Sequence, residues 1–388
     1  MKVLFVCPFV PWPLDNGGKT RTYQLLRAAS RSVELELFLI EGESDAAGAR
    51  EALEAHCTKV RTFPRGSVGP WRRLTRPKLE RWFHSPALTR ALREELRGGD
   101  CDLLHLDELL LARVPPRRPG VPVVQHHHKL DTVYYSLVGT GSLLERAWDL
   151  RKLERLERLA TRRTKHHVLC SREDAQVLTA RHGSLDVGIV PSGFDHEVFS
   201  PGSETRDPDR LLFLGSMDYA PNVDAVRWFV TQVLPRVRGL RPATVLDVVG
   251  GEPTRDVLAL AGPDVVVHGR TDDVVPWLRR CAAMVVPLRI GGGTRLKIAE
   301  ALGVGTPTVS TTIGAEGLAL VDREHLALAD TPTDLARRTL ELLDDPAAAA
   351  SMGARGRVFA LEHLTWVALG ERLVDYWKRV ATPRTTSA

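Results

Sequence analysis

The feature that most constrains the fold is an alternation that runs through the chain twice. Short apolar runs such as "KVLFVCPF" (2–9) and "VELELFLI" (33–40) alternate with stretches whose apolar residues fall at helical spacing. A run apolar at nearly every position reads as a strand buried on both faces. Strands separated by helices read as parallel sheets with right-handed crossovers. The first series continues with strands at 59–64, 102–107 and 121–128, an amphipathic helix over 142–165, a strand at 166–171, a helix, and a last strand within 187–195. The pattern restarts with a strand at 210–216, a helix over 222–238, strands at 243–251, 264–269 and 282–288, a helix over 296–305 and a strand at 306–311. Between the two series lies a segment rich in Pro, Gly, Ser and Asp, 191–209, with the composition of a linker. The expected fold class is α/β, with two Rossmann-like doubly wound domains over 1–192 and 193–362. A terminal helix at about 363–380 is expected to pack back on the first.

The 388 residues are enough for two cores, and 43% hydrophobic with 26% charged residues fits an ordinary globular protein. The net charge of +5 favours an anionic partner, whether nucleotide sugar, nucleic acid or phospholipid surface. No nucleic-acid-binding module or RNP-like pattern is present, so no nucleic acid is expected as partner. Five cysteines with no CxxC pair read as buried free thiols in a reducing cytoplasm rather than as zinc or redox centres. The first apolar run is broken by Pro8, Pro11 and Pro13, unlike a signal peptide, and no window approaches the ~20 apolar residues of a membrane span. The expected location is cytoplasmic, with peripheral contact at the inner membrane face at most.

The stretch "VVPLRIGGGTRLKIAEALGVG" (285–305) concentrates the chemistry. It is a strand, a glycine-rich turn and a helix, and open α/β sheets bind ligands beyond the carboxyl ends of their strands. Glycines there let backbone approach a ligand, and a helix start offers unpaired N–H groups to an anion. Arg295 and Lys297 oppose the helix dipole, an arrangement that an anion would offset. Thr294 can cap the helix or donate its hydroxyl to a phosphate, and Glu300 can accept two hydrogen bonds from a ribose diol. Phosphate clamp plus diol acceptor describes a nucleoside diphosphate. The alternative is an exposed basic helix start in which Glu300 merely pairs with Lys297.

Other stretches are less specific. "DNGGKTR" (15–21) lacks G-x-G-x-x-G, which argues against a dinucleotide loop. In "QHHHKLD" (125–131) neighbouring strand residues face opposite ways, so only His126 and His128 share a face; with no further acidic or Cys ligand nearby, no metal is expected. His105 and Asp107 read as a strand end without chemistry. The helix over 151–165 reads as a solvated face with a Glu154–Arg158 pair. The segment 71–84, with Trp71, Trp82 and Phe83, has membrane or lipid-acceptor contact as an alternative to a solvated face.

The blocks "PWPLDNGGKTRTYQLLRA", "GSMDYAPNVDAVRWF", "VVVHGRTDDVVPWLRRCAAMVVPLRIGGGTRLKIAEALGVGTPTVST" and "GAEGL" together resemble the retaining glycosyltransferases of family 4, which have the GT-B fold. The resemblance covers nearly the whole chain. It implies a donor nucleotide sugar in the C-terminal domain, an acceptor mainly against the N-terminal one, chemistry in a cleft between them, and no bound metal or cofactor. Many relatives carry Glu-x7-Glu; here Gly292 stands at the first position and Glu300 at the second. The resemblance therefore gives Glu300 the ribose, and gives the donor sugar backbone N–H groups of 291–294, among them Gly292, Gly293 and Thr294. Asp218 and Asn222 stand where many relatives carry Arg and Lys, which leaves the diphosphate charge to Arg295 and Lys297. The same resemblance sets Arg270 and Thr271 against the nucleobase edge and Gly17 and Gly18 against the donor phosphates, with Lys19 or Arg21 adding charge. It sets His127 or His128 with Asp131 beside the transferred sugar, and Glu316 on a loop toward it. The implied activity is transfer of a sugar from a nucleoside-diphosphate sugar to a hydroxyl acceptor: a glycan, a lipid-linked glycan or a small natural product. Polysaccharide biosynthesis would be one setting. The alternatives are a sugar-nucleotide epimerase or phosphorylase of the same fold, or a non-catalytic nucleotide-sugar-binding scaffold; Gly292 slightly favours the last, and the otherwise intact clamp argues against it.

Overall fold

The computed structural model describes residues 1–41, 48–139 and 141–382. The chain divides into two compact units, one formed by Met1–Pro191 together with Trp366–Ala388, the other by Ser192–Thr365.

The first unit is a seven-stranded parallel sheet: β1 (Lys2–Cys7), β2 (Glu34–Ile40), β3 (Lys59–Phe63), β4 (Leu103–Asp107), β5 (Val123–His127), β6 (His166–Leu169) and β7 (Asp186–Ile189), in the order β3-β2-β1-β4-β5-β6-β7. The second is a six-stranded parallel sheet: β8 (Asp207–Leu214), β9 (Val245–Val249), β10 (Val265–Gly269), β11 (Cys281–Val286), β12 (Thr308–Ser310) and β13 (Ala327–Leu328), in the order β10-β9-β8-β11-β12-β13. Both are doubly wound α/β units. The strand direction of progress reverses between β1 and β4 in one and between β8 and β11 in the other, and at such a reversal the loops diverge and leave a crevice.

The central strands are buried on both faces, as their uninterrupted apolar sequences require: Val3–Cys7 in β1 and Ala283–Val286 in β11. The helix Gly17–Ala29 starts where Asn16 accepts the Lys19 N–H at 3.0 Å. The helix Leu143–Arg163 starts with a capping box between Ser142 and Glu145. The terminal helix, Trp366–Ala381, packs on Gly17–Ala29 so closely that a Cβ at Gly370 would lie 2.3 Å from the Ala28 Cβ. Its Trp377 is fully buried, edge-on to Phe5 and His105. A separate helix, Pro346–His363, precedes it.

Several local expectations are corrected. The helix expected over 222–238 is interrupted by a π turn, Phe229–Val233, between Ala220–Trp228 and Leu234–Leu240. Pro235 has no N–H for the ladder, and the wider turn absorbs that gap. Phe83 packs inward while Trp71 and Trp82 face outward. No Glu154–Arg158 pair forms among the described residues; nearest those positions the buried acid is Glu157, which accepts from Thr132 at 2.6 Å and meets His182 at 2.7 Å. All five cysteines are buried and free. No described helix is long and apolar enough to cross a membrane.

Candidate functional site

In the Ser192–Thr365 unit, the loops after β8 and β11 meet at the reversal point. The turn after β11 leads into the helix Leu296–Val304. Thr294 was the expected cap, but Arg295 occupies the cap position and no side chain caps the first turn. Thr294 lies one residue too early, and its hydroxyl accepts from Ser192 N–H at 2.5 Å. The helix start therefore keeps N–H groups that no side chain satisfies.

Arg295 folds back over the glycines. It donates to the carbonyls of Gly292 at 2.9 Å, of Gly293, and of Ile313 at 3.2 Å. A Cβ at Gly291 would stand 1.8 Å from its Nη2, so the glycine run first of all makes room for this guanidinium. Lys297 donates to Asn222 Oδ1 at 3.0 Å and lies 4.4 Å above the Phe213 ring. The Asn222 amide is itself pinned, because its Nδ2 donates to Ser216 O at 2.9 Å. Gly215 faces the same ammonium: a Cβ there would approach Lys297 Nζ to 2.7 Å. Burial, reinforced by Arg295 and only partly offset by Glu300, pulls the Lys297 ammonium down to about 7. Burial pushes the Glu300 carboxyl up to about 7, against the pull of Lys297. The two do not form an ion pair, and the Glu300 carboxylate accepts no hydrogen bond among the described residues. That disfavours the plain salt-bridged helix start. Arg270 is exposed after β10, and Thr271 donates to Asp273 O at 3.0 Å, which closes a turn. Asp218 accepts from Ser216 Oγ at 2.6 Å.

In the other unit, the ends of β4 and β5 hold a buried polar network. Asp107 accepts from Thr22 Oγ1 at 2.7 Å and meets His128 Nε2 at 2.8 Å and His126 Nδ1 at 3.2 Å. Despite burial, the two imidazoles hold its carboxyl well below the ordinary range. Burial lowers the His128 imidazole, but Asp107 and Glu108 more than reverse this and hold it raised. Burial drives His126 down to about 3 and His105 well below its ordinary value. Arg21, proposed above as added charge for a ligand, is instead 2% exposed and donates to the carbonyls of Val190 at 2.5 Å and Pro191 at 2.7 Å. Lys19 is bound to Asp15 at 2.9 Å. Gly17 and Gly18 form the first residues of their helix.

His127 needs the clearest correction. The pleat turns it to the opposite face from His126 and His128, where it stacks on His167 with ring nitrogens 3.1 Å apart. It is 1% exposed and cannot reach a ligand. Asp131 opens the helix Asp131–Val138; its Oδ2 is buried without a partner, and burial raises its carboxyl although Lys129 stands 3.6 Å away.

The premise that no acid lies near the histidines also fails, since His105, Asp107 and His126 offer ligand atoms within 4.8 Å of one another. The donor arrangement nevertheless suits a metal poorly. The outer nitrogens, His105 Nδ1 and His126 Nε2, face the N–H groups of Trp377 and Arg21, each at 3.0 Å. Arg21 can only donate, so the His126 ring carries its proton on Nδ1, facing Asp107, where a metal would bind; His105 Nε2 meets that same nitrogen at 3.2 Å. His167 and Trp377, and the buried structural role of Arg21, are contributions that sequence reading missed; they come from segments far apart, with no spacing to find them by.

Residues 15–198 match the family described as Glycosyltransferase Family 4, and residues 208–345 match Glycosyl transferases group 1. A D-inositol 3-phosphate glycosyltransferase of Nocardiopsis dassonvillei is 28% identical, over 92% of this chain and 88% of its own. Among solved structures, sucrose-phosphate synthase from Thermosynechococcus elongatus aligns with a TM-score of 0.73 at 18% identity, over 98% of this chain and 99% of that one. Anabaena HepE in complex with UDP-glucose aligns with a TM-score of 0.68 at 14% identity, over 98% and 100%. The two matched segments span β2 to β7 and the second sheet with the glycine-rich turn, and the chain belongs to the family 4-like glycosyltransferases of the GT-B fold.

Proposed function

We propose that this glycosyltransferase is retaining and metal-independent, and that its donor is a nucleoside-diphosphate sugar held by the Ser192–Thr365 unit. The observation that carries this is the pair of half-buried charges, Lys297 and Glu300, each displaced to about 7 and not paired with the other. A diphosphate against Lys297, Arg295 and the uncapped helix start would supply the missing anion. A ribose diol would supply donors to Glu300. In the transfer step the bond from the anomeric carbon to the diphosphate oxygen breaks, and a bond to the acceptor hydroxyl oxygen forms. The hydroxyl proton leaves to the departing diphosphate. Arg295 and Lys297 stabilise the charge that develops there, the service a divalent cation would otherwise give. Glu300 fixes the ribose and so orients the anomeric carbon. Gly292, Gly293 and Thr294 offer backbone to the sugar, Arg270 and Thr271 offer backbone to the base, and Gly17 and Gly18 approach the phosphates. His128 and Asp131 serve the transferred sugar; His127 is withdrawn from that role. The acceptor is a hydroxyl compound: a glycan, a lipid-linked glycan or a small natural product.

The test is a transfer assay with UDP-, GDP- and dTDP-sugars, with and without EDTA, in which the anomeric configuration of the product is read by NMR. Retention and insensitivity to EDTA support the reading. Inversion, an epimerised nucleotide sugar formed without acceptor, or loss of activity with EDTA contradicts it.

A further inference from the structure

Away from both sites, the first unit has a cavity of about 480 Å3 between the short helices Pro70–Thr75 and Lys78–Trp82, the helix Pro86–Gly98, and the segment after β4. Six arginines line it against two glutamates. Two of the six are already balanced: Arg76 and Arg113 hold the buried Glu80 at 3.0 and 3.1 Å. The other four, Arg72, Arg90, Arg93 and Arg97, form no ion pair among the described residues, although Glu94 lies within the same wall. Arg90, Arg93 and Arg97 recur at three- and four-residue spacing, so they share one face of their helix, and like charges at those spacings repel. The His84 imidazole on the same wall is held below its ordinary value by burial and by Arg76 and Arg72. A wall that sets four guanidinium forks beside Glu94 and ion-pairs none of them suits a phosphate, whose several acceptor oxygens a planar guanidinium can engage two at a time.

We propose that this cavity is a second anion site, built to take a phosphate monoester or diphosphate group distinct from the donor's. It does not rest on the donor reading, because its residues belong to the other unit and to none of the positions assigned there. Two sources share that chemistry. One is a soluble phosphorylated compound. The other is a phospholipid headgroup, for which the exposed Trp71, Leu74 and Trp82 on the adjoining short helices would supply an apolar rim.

The test uses the full chain and inorganic pyrophosphate, followed by calorimetry at low salt. Binding is measured on the Arg295→Ala/Lys297→Ala background, so that the clamp of the other unit does not report, and then with Arg90→Gln/Arg93→Gln/Arg97→Gln added. All three arginines are exposed, so the fold should survive their replacement, and the single Arg93→Gln variant serves as a second reading if the triple does not. The expected result is pyrophosphate binding that persists without the clamp and weakens by roughly tenfold or more without the three arginines. Equal binding with and without them, or no binding on the clamp-deficient background, overturns the proposal. Sedimentation with phosphatidylcholine vesicles, with and without phosphatidic acid, then separates the sources. Binding to the phosphatidic acid vesicles that pyrophosphate competes away assigns the site to a headgroup; pyrophosphate binding without vesicle binding assigns it to a soluble phosphate compound.

Discussion

The polar cluster around Asp107 and the turn around Lys297 are both rich in charge at the carboxyl ends of a parallel sheet, yet they are opposite kinds of place. Around Asp107 nearly every donor has its acceptor: Thr22, His126 and His128 converge on one carboxylate, Trp377 satisfies His105, and Arg21 is spent on carbonyls. Charge states there are fixed, with the Asp107 carboxyl held low and His126 lowered to about 3. Around Lys297 the charges are half-buried, under-partnered, and displaced to about 7 from both directions. A satisfied network holds a fold together; on the proposed reading, a ligand completes the unsatisfied one. Only the His128 edge of the first cluster carries a raised imidazole and remains a candidate for contact with substrate.

If this contrast is right, Trp377→Ala should act on stability alone. It empties a fully buried indole site and strands His105, costing about 3–5 kcal/mol in unfolding measurements, while nucleotide affinity stays unchanged in protein that remains folded. A loss of nucleotide affinity alongside would erase the distinction between the two regions. Lys297→Ala should do the reverse, lowering turnover on the order of a hundredfold with little change in melting temperature. Asp107→Asn sharpens the comparison through pH. The raised imidazole of His128 contributes stability that is fully present below its ordinary value of 6.5 and is lost as pH rises through the folded value. Urea unfolding of the wild type should therefore show stability falling above that point. The Asn variant, about 3 kcal/mol less stable overall, should show a flatter dependence there. The smallest effect is in protons. At about pH 8 Lys297 is mostly neutral when free, and a diphosphate restores its charge, so binding takes up protons. At about pH 6 Glu300 is mostly protonated, and a diol that needs its carboxylate makes binding release protons. Calorimetry in buffers of different ionisation enthalpy should show the sign change near neutrality, and Lys297→Ala should leave only the release.

The same contrast explains what could be read in the sequence. β1 and β11 announce themselves because burial on both faces leaves an uninterrupted apolar run. The glycine-rich turn is legible because its glycines, Arg295, Lys297 and Glu300 lie in one contiguous stretch, and the reversal of strand order brings the end of β11 to the crevice. The Asp107 network draws on residues 21, 22, 105, 107, 126, 128 and 377, and beyond the pairs 105/107 and 126/128, each two residues apart, no local spacing links its members. His127 shows the limit within a single tripeptide: the alternation was readable, but only the neighbouring strand, through His167, shows that its face is sealed. The cap likewise turned on one residue of register, which moved Thr294 out of the helix start and onto Ser192.

The central claim is that the turn at 291–300 holds a nucleoside diphosphate by its own cations and Glu300. A thermal-shift titration of wild type and Glu300→Ala with UDP, GDP and dTDP, with and without EDTA, tests it most directly. Ligand at ~100 times its dissociation constant adds about 2.7 kcal/mol, a shift of several degrees for units of this size, roughly 2–4 °C per kcal/mol. The account predicts that shift for one of the three nucleotides, unchanged by EDTA and lost in Glu300→Ala. A shift that survives in the variant, or that EDTA abolishes, or no shift with any of them, would contradict it.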